Sequence, residues 1–491
     1  MYNFEGNTDV SGFVSASGQA IVNGEGKEFL LRGVGLGSWL LPEGYMWRMP
    51  EGGDRPRRIE KMTQDLLGRE KADSFWAKYY DSYITEEDIR FIAELGFNSI
   101  RLPINSRPLL NDDSLWDRID AAVSWCRKYR IYIILDLHGA PGGQTGANID
   151  DSEFDLPELF TRRANAVITV ELWRKIARRY KDEWIVAGYD LLNEPLPEWF
   201  SKYNDRLVPL YTEIIQAVRE IDQRHMIILE GAHWATDWSM FTGKLDSNMM
   251  LQFHKYWNNP DEESLLPFLE RRKELNVPIY MGEGGENNTD WYAGAFRLFE
   301  DLNISWNFWT WKKMDTANSP VSIIKPDNWD LLTDYLEGGK CPEPETAEQI
   351  FNKYLENIRF ENCVFRPGVS NSILRRPPLR IPAVFYSYKG FDRGFHVSKP
   401  EKGLSCGFRA NDGVKMGFTT GEKAAVNFSH GGGEQWTDDE WMYVELDSND
   451  WLAYDFMPGG KSVDLDISIK AVKIGKDARI KIMIDSHDVG D

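Results

Sequence analysis

The chain is poor in cysteine. Cys126, Cys341, Cys363 and Cys406 are the four in 491 residues. None belongs to a Cys-x-x-Cys pair, which excludes a zinc knuckle and a dithiol redox motif. So few thiols suit a reducing compartment, with a Cys341–Cys363 bridge a conceivable pairing. Basic charge is also short: 57 Lys and Arg against 77 Asp and Glu leave a net charge of −20. That balance argues against a nucleic-acid partner and gives no reason to expect an anionic membrane. No apolar run approaches transmembrane length. The opening Met1-Tyr2-Asn3-Phe4-Glu5 has no basic n-region and no apolar h-region, so no signal peptide is visible. The expected location is cytoplasmic, or secreted with the signal removed. Neither a His-x-His on the first strand nor a His-Glu-x-x-His is present, which argues against a metal hydrolase. No cofactor is expected.

What is abundant is aromatic surface. Aromatics make up 13% of the chain, with 19 tryptophans. Flat indole faces stack on sugar rings, although a large aromatic core would have the same composition. At this length the chain has room for one large domain and a smaller one.

The organising stretch is Tyr189-Asp190-Leu191-Leu192-Asn193-Glu194-Pro195, an apolar run ending in a carboxylate. A second run, Pro278-Ile279-Tyr280-Met281-Gly282-Glu283, ends the same way. Each reads as a buried strand that stops at a glutamate. Glycosidic cleavage needs such a pair: one carboxyl protonates the leaving oxygen, and the other attacks or stabilises the sugar cation.

In chain order, residues 12–28 read as a short hairpin able to plug the bottom of a barrel. Eight apolar strands follow: Phe29–Val34, Ser99–Ile104, Ile131–Leu137, Ile185–Leu192, Met226–Leu229, Met249–Phe253, Pro278–Met281 and Ser305–Trp309. Helical patterns lie between them, beginning with a capping-box start at Thr85-Glu86-Glu87-Asp88 and ending with Thr346–Ile358. The pattern is weakest between the fifth and sixth strands. This alternation predicts an α/β fold, a (β/α)8 TIM barrel. The stretch Trp39–Ile84 is out of scale for a βα loop. Its Trp39, Tyr45, Trp47 and Trp76 are expected over the sugar-binding face, and its polar part near residues 51–58 also fits partial disorder. Around Arg375-Arg376-Pro377-Pro378 the helical pattern ends. Beyond it, short strands at Ala424–Phe428, Trp441–Leu446, Trp451–Phe456, Val463–Ile469 and Ile480–Ile484 predict a small C-terminal β-sandwich. The expected domains are 1–375, catalytic, and 376–491, a β-sandwich able to bind carbohydrate through an exposed Trp436 or Trp451.

Side chains at the C-terminal ends of barrel strands converge on one site. Those ends supply Arg101, His138, Asn193, Glu194, His254, Tyr256, Glu283, Trp309 and Trp311. Four have a plainer reading. Arg101 fits a barrel salt bridge, His138 and His254 fit core histidines or metal ligands, and Trp311 fits packing. Glu286 is a rival nucleophile, and Glu230 a subsite residue or a partner for a base.

At these positions the chain resembles glycoside hydrolase family 5. The matching pieces are Ser99-Ile100-Arg101-Leu102-Pro103, Asp136-Leu137-His138-Gly139-Ala140-Pro141-Gly142, Leu192-Asn193-Glu194-Pro195, His254-Lys255-Tyr256, Gly282-Glu283-Gly284 and Trp309-Thr310-Trp311-Lys312. Leu31 to Trp39 and His138 to Gly146 look most like the exo-β-1,3-glucanase branch, departing at Gly35, where that branch usually has Asn. The resemblance implies a retaining β-glycosidase with Glu194 as acid/base and Glu283 as nucleophile. Asn193 would meet the sugar 2-hydroxyl, Arg101 hold Glu283 ionised, Tyr256 donate to Glu283, and His254 orient the acid. His138 would bind a sugar hydroxyl, and Trp309 would form the stacking platform. The implied partner is a β-linked oligosaccharide, polysaccharide or β-glucoside. Two alternatives stay open: cleavage or transglycosylation of a β-glucosylated lipid or other aglycone, and a non-catalytic glycan-binding protein.

Overall fold

The computed structural model describes residues 8–401, 407–421, 425–458, 464–472, 479–485 and 487–490. Its centre is a closed parallel barrel of eight strands: β1 (Arg32–Gly35), β2 (Ser99–Asn105), β3 (Tyr132–Gly139), β4 (Val186–Asp190), β5 (Met226–Glu230), β6 (Met249–His254), β7 (Ile279–Gly285) and β8 (Ser305–Trp309). Each strand pairs with its neighbours in sequence, and β8 closes onto β1. Every residue of β2 to β8 is buried. Helices cover the outside and strand side chains fill the interior, so continuous apolar runs are the pattern such strands require.

The first predicted strand divides in two. Glu28–Phe29 joins Ser15–Ser17 and Ala20–Val22 in a three-stranded antiparallel sheet, and the barrel strand starts at Arg32. That small sheet sits at the N-terminal ends of the barrel strands. The Ser11 amide donates to Tyr132 Oη at 3.0 Å, and the Ala16 amide to Asn248 Oδ1 at 2.8 Å.

Local chemistry sets the helix ends. The helix Glu86–Leu95 begins on the Thr85/Asp88 capping box and ends at Gly96, whose φ of +93° suits glycine. Ser114–Tyr129, Arg163–Tyr180, Leu207–Arg219, Leu266–Leu275, Thr289–Asp301 and Pro344–Asn357 continue the alternation. Between β5 and β6 there is only the four-residue turn Ala232–Ala235, which explains the weak pattern there.

The Trp39–Ile84 stretch is ordered and largely helical, with helices Pro56–Leu67 and Arg69–Ser82. Arg55, Arg57 and Arg58 tie its polar part to Asp54, Asp151 and Asp155. The tryptophans do not line a sugar-binding face. Trp39 and Trp47 are buried, and Trp47 packs on Phe75, Trp76, Tyr79, Trp329 and Tyr354. Burying that much indole and phenol surface outweighs presenting it to water.

Past residue 375 the described chain forms three two-stranded antiparallel sheets, including Lys415–Phe418 with Met442–Glu445 and Phe395–His396 with Trp451–Leu452. These are the small sheets of a C-terminal β-sandwich following the barrel. Trp436 is buried there against Phe385, Phe428 and Trp441, so it offers no glycan face, whereas Trp451 is 40% exposed. Ala424 and Val463, which open two of the expected strands, lie outside the described residues, as does Cys406. Cys126, Cys341 and Cys363 are free, so no Cys341–Cys363 bridge forms. No helix among the described residues is long and apolar enough to cross a membrane.

Candidate active site

One guanidinium gathers the C-terminal mouth of the barrel. Arg101 rises from β2, fully buried, and its Nε donates to Asp190 Oδ2 at 2.8 Å. Its Nη1 pairs with Glu283, and its Nη2 donates to Asn193 Oδ1 at 2.8 Å and Glu230 Oε1 at 3.0 Å. Asp136 Oδ1 lies 3.2 Å from the same Nη2. Carboxylates from β3, β4, β5 and β7 thus share one cation.

The backbone aims each catalytic candidate. In β7 the pairing with β6 shifts between Met281 and Glu283, so Gly282 is the extra residue of a bulge that turns Glu283 inward. A Cβ on Gly282 would fall 2.0 Å from Gln252 Cδ, so only glycine fits. Glu194 follows β4 with a φ of +42°, a left-handed conformation that costs a non-glycine residue energy and persists where surroundings enforce it. Its amide is held by Glu230 Oε2 at 2.6 Å. Gln144 braces the neighbouring loop, donating to His138 O at 2.7 Å and Asn193 O at 3.0 Å.

Glu194, His254 and Glu283 each offer an atom within 4.8 Å of the others. His254 Nδ1 donates to Glu194 Oε1 at 2.6 Å and lies 3.6 Å from Glu283 Oε2. These three are also the group among the described residues whose spacing suits a metal ion. At 2.6 Å the His254–Glu194 contact is a short hydrogen bond between two of the three. Tyr256 Oη donates to Glu283 Oε2 at 2.9 Å. His138 Nδ1 donates to Asp136 Oδ2 at 2.7 Å, and its Nε2 accepts from Asn193 Nδ2 at 3.3 Å. The Trp309 ring stacks on His138 at 5.5 Å and 4°, and its Nε1 donates to Tyr45 Oη at 2.8 Å. Gly35 lies beneath it, where a Cβ would come 2.6 Å from Trp309 Cε3. With Trp309 in this place, that close approach leaves no room for a side chain at position 35.

The electrostatics follow from too many acids in a dry space. Burial pushes Asp136 up to about 8, against the pull of Arg101. Burial also raises Asp190 and Glu283, with the Arg101 and His254 charges opposing it at Glu283. Burial lowers His138 to about 4, which keeps it a neutral acceptor. At His254 burial opposes the charge, but Glu230, Glu283 and Glu194 together raise it, so it is a cation. Burial thus favours the protonated forms of Asp136 and Asp190, while the His254 and Arg101 charges draw Glu283 back toward the carboxylate.

Three readings left open by the sequence are resolved. Glu230 pairs with Arg101 rather than facing a subsite. Glu286 is paired with Lys313 at 2.7 Å, outside the Arg101 cluster. Trp311 is fully buried and donates to Asp88 Oδ1 at 2.9 Å, so it packs. The structure adds residues not singled out for the site: Asp136, Asp190, Glu43, Gln144 and Gln252. A lone acid inside an apolar run marks Asp136 and Asp190, and Asp136 shares a face with His138 by the two-residue strand period. Glu43 sits in the loop after β1, buried and 4.0 Å from His138 Nε2, with its Oε1 lacking a hydrogen-bond partner among the described residues. Burial first, and then Glu283 and Glu286, raise its pKa well above the usual range. No strand pattern points to it.

The family model described as Cellulase (glycosyl hydrolase family 5) matches residues 61–315. A probable glucan 1,3-beta-glucosidase A of Emericella nidulans is 32% identical over 395 residues, covering 66% of this chain and 92% of that protein. Endoglucanase C of Acetivibrio thermocellus is 26% identical over 310 residues, covering 49% of this chain and 88% of that one. A beta-xylosidase of Phanerodontia chrysosporium is 32% identical over 236 residues, a match spanning 47% of this chain and 48% of that protein.

Proposed function

This chain belongs to glycosyl hydrolase family 5, and on that premise we propose that Glu194 and Glu283 cleave β-glucosidic bonds of glucan-like saccharides or β-glucosides with retention. The observation that carries the reading is the separation of the two carboxylates, which offer oxygens within 4.8 Å of each other. Double displacement needs a spacing of about 5–5.5 Å, while inversion needs room for a water between the groups.

Glu283, held by Arg101 and Tyr256, attacks the anomeric carbon. Glu194 gives its proton to the leaving oxygen, and the bond to the aglycone breaks. A glycosyl ester on Glu283 remains. Glu194 then takes a proton from water, the water oxygen bonds to the anomeric carbon, and Glu283 leaves as carboxylate. His254 carries a charge between the two acids and orients Glu194. Asn193 and His138 meet sugar hydroxyls, and the Trp309 face lies under the ring. Division at about residue 375 into a catalytic part and a β-sandwich belongs to the same reading.

A capped, glucose-releasing action on β-1,3 linkages is the favoured form, supported by the motifs after β1 and β3 and by the 92% coverage of the glucan 1,3-beta-glucosidase. The aglycone alternative loses its original motive, because Trp39 and Trp47 are buried in the core. It keeps one observation. Trp199, 64% exposed, meets Trp234 edge-on at 5.7 Å in the loops after β4 and β5, on the Glu194 side.

The test is product analysis with matched β-1,3 and β-1,4 gluco-oligosaccharides, read by chromatography and by NMR of the first-formed anomer. Stepwise β-glucose from the β-1,3 set is expected. An inverted anomer, or undiminished turnover by Glu283→Gln, would overturn the assignment.

A further inference from the structure

A second carbohydrate contact is built partly from the C-terminal region. Three buried asparagines on the barrel's catalytic face hold the main chain of one distant segment. Asn287 Nδ2, after β7, donates to Phe428 O at 2.6 Å. Asn288 Nδ2 donates to Glu434 O at 3.0 Å, and Asn318 Nδ2, after β8, to Gly431 O at 2.7 Å. All three side chains are nearly inaccessible to water. From the other side, His430 Nε2 donates to Glu440 Oε2 at 3.1 Å, and the Gly433 amide donates to His430 O at 2.9 Å. Buried amide-to-carbonyl bonds of this kind fix position, because breaking one strands a polar group. The segment is therefore seated on the rim of the catalytic cleft rather than tethered near it.

Its tip meets an exposed tryptophan. Trp257 is 52% exposed although its Nε1 is satisfied by Glu286 O at 3.0 Å. It follows Tyr256, whose hydroxyl reaches Glu283, and the two rings lie 5.6 Å apart. The indole is thus one ring further out from the nucleophile. The three glycines of the tip differ in what their backbone demands. Gly433 has a φ of +87°, which favours glycine, whereas a Cβ on Gly432 would meet only the movable tip of Glu434 at 2.4 Å. Gly431 has neither constraint, and a Cβ there would make an ordinary 3.6 Å contact with Trp257 Nε1. Packing does not forbid a side chain at 431, and its lack leaves the indole uncovered.

We propose that Trp257 and the Gly431–Gly433 turn form a subsite for a second hexose unit of an oligosaccharide substrate, so that the C-terminal region completes the cleft. The sugar face stacks on the indole, as apolar sugar C–H surface does on aromatic rings, and its hydroxyls face the polar turn. This rests on the glycosidase reading above.

The test compares kcat/KM for a β-linked glucotrisaccharide with that for an aryl β-glucoside, whose small leaving group spans a single sugar. Gly431→Leu places a side chain on the indole, and Trp257→Ala removes the platform. Each should lower the trisaccharide-to-aryl ratio about tenfold, mainly through KM. Asn318→Ala, which frees the turn, should lower the same ratio and serves where Gly431→Leu does not fold. A ratio within twofold of wild type in all folded variants would overturn the subsite while leaving the glycosidase reading intact. Wild type that cleaves neither substrate would overturn that reading and the subsite with it.

Discussion

Two buried histidine–aspartate pairs sit at opposite ends of the barrel and behave differently. At the N-terminal end, His225 Nδ1 donates to Asp222 Oδ2 at 2.5 Å, Tyr189 Oη donates to the same oxygen at 2.8 Å, and the Arg224 amide donates to Oδ1 at 2.8 Å. Burial there would raise Asp222, but these donors and the His225 charge carry it down to about 2. At the C-terminal end, His138 and Asp136 make a similar contact at 2.7 Å, yet Asp136 is pushed up to about 8 and His138 down to about 4. The same two residue types give a satisfied hydrogen bond at one end and a frustrated one at the other. The difference is the number of acids competing for Arg101. Glu43 Oε1, Asp190 Oδ1 and Gln252 Oε1 even lack hydrogen-bond partners among the described residues. Unsatisfied buried polar groups cost stability and mark places where a ligand supplies what the fold does not.

The largest effect that would sharpen this contrast is chemical. Glu283→Gln should reduce turnover of an aryl β-glucoside by about 10³-fold or more while leaving the melting temperature at or above that of wild type, since it removes a charge from a dry site. Steady-state kinetics with differential scanning calorimetry checks both. Next, Arg101→Met leaves four carboxylates without their shared cation and should cost about 3–5 kcal/mol in urea unfolding. A loss under about 1 kcal/mol would mean that protons held by Asp136, Asp190 and Glu283 already neutralise the cluster without Arg101.

Asp222→Asn and Asp136→Asn should separate the two ends. The first should lose about 1–3 kcal/mol of stability with turnover retained, because a satisfied acceptor goes. The second should hold or gain stability and lose turnover. If the effects were reversed, the assignment of frustration to the catalytic end would be wrong.

The smallest effect is in the pH dependence of stability. Asp136 has a folded pKa of about 8, above its unfolded value of about 4. Its contribution is full below about 4 and is lost as pH rises through about 8. Asp222 has a folded pKa of about 2, below its unfolded value. Its contribution is present above about 4 and is lost as pH falls toward 2. Asp136→Asn should therefore flatten the alkaline limb of the stability profile, and Asp222→Asn the acid limb.

The barrel was legible because its strands are short, apolar and bounded by turn residues. Observed starts and ends differ from the expected ones by a few residues at most, and at the first strand Phe29 belongs to the N-terminal sheet. The strand-end residues were legible for the same reason: a strand that stops at a polar side chain places it at the mouth. Glu43 and Gln144 were not, because they lie in loops whose course depends on what they pack against. The tryptophans of residues 39–76 misled because indole serves a core and a sugar equally well, and composition does not distinguish the two.

By itself, the order of residues determined the period of each element, the caps at Thr85 and Gly96, and which side chains stand at strand ends, since these depend on neighbours a few positions away. Closure of the barrel decided the rest. It brought Asp136, Asp190, Glu230 and Glu283 onto one guanidinium, and so decided which acids hold protons. It also buried Trp47 and seated Gly431 beside Trp257. Those contacts join residues far apart in the chain, and their energies come from shared burial, which exists only once the fold has excluded water.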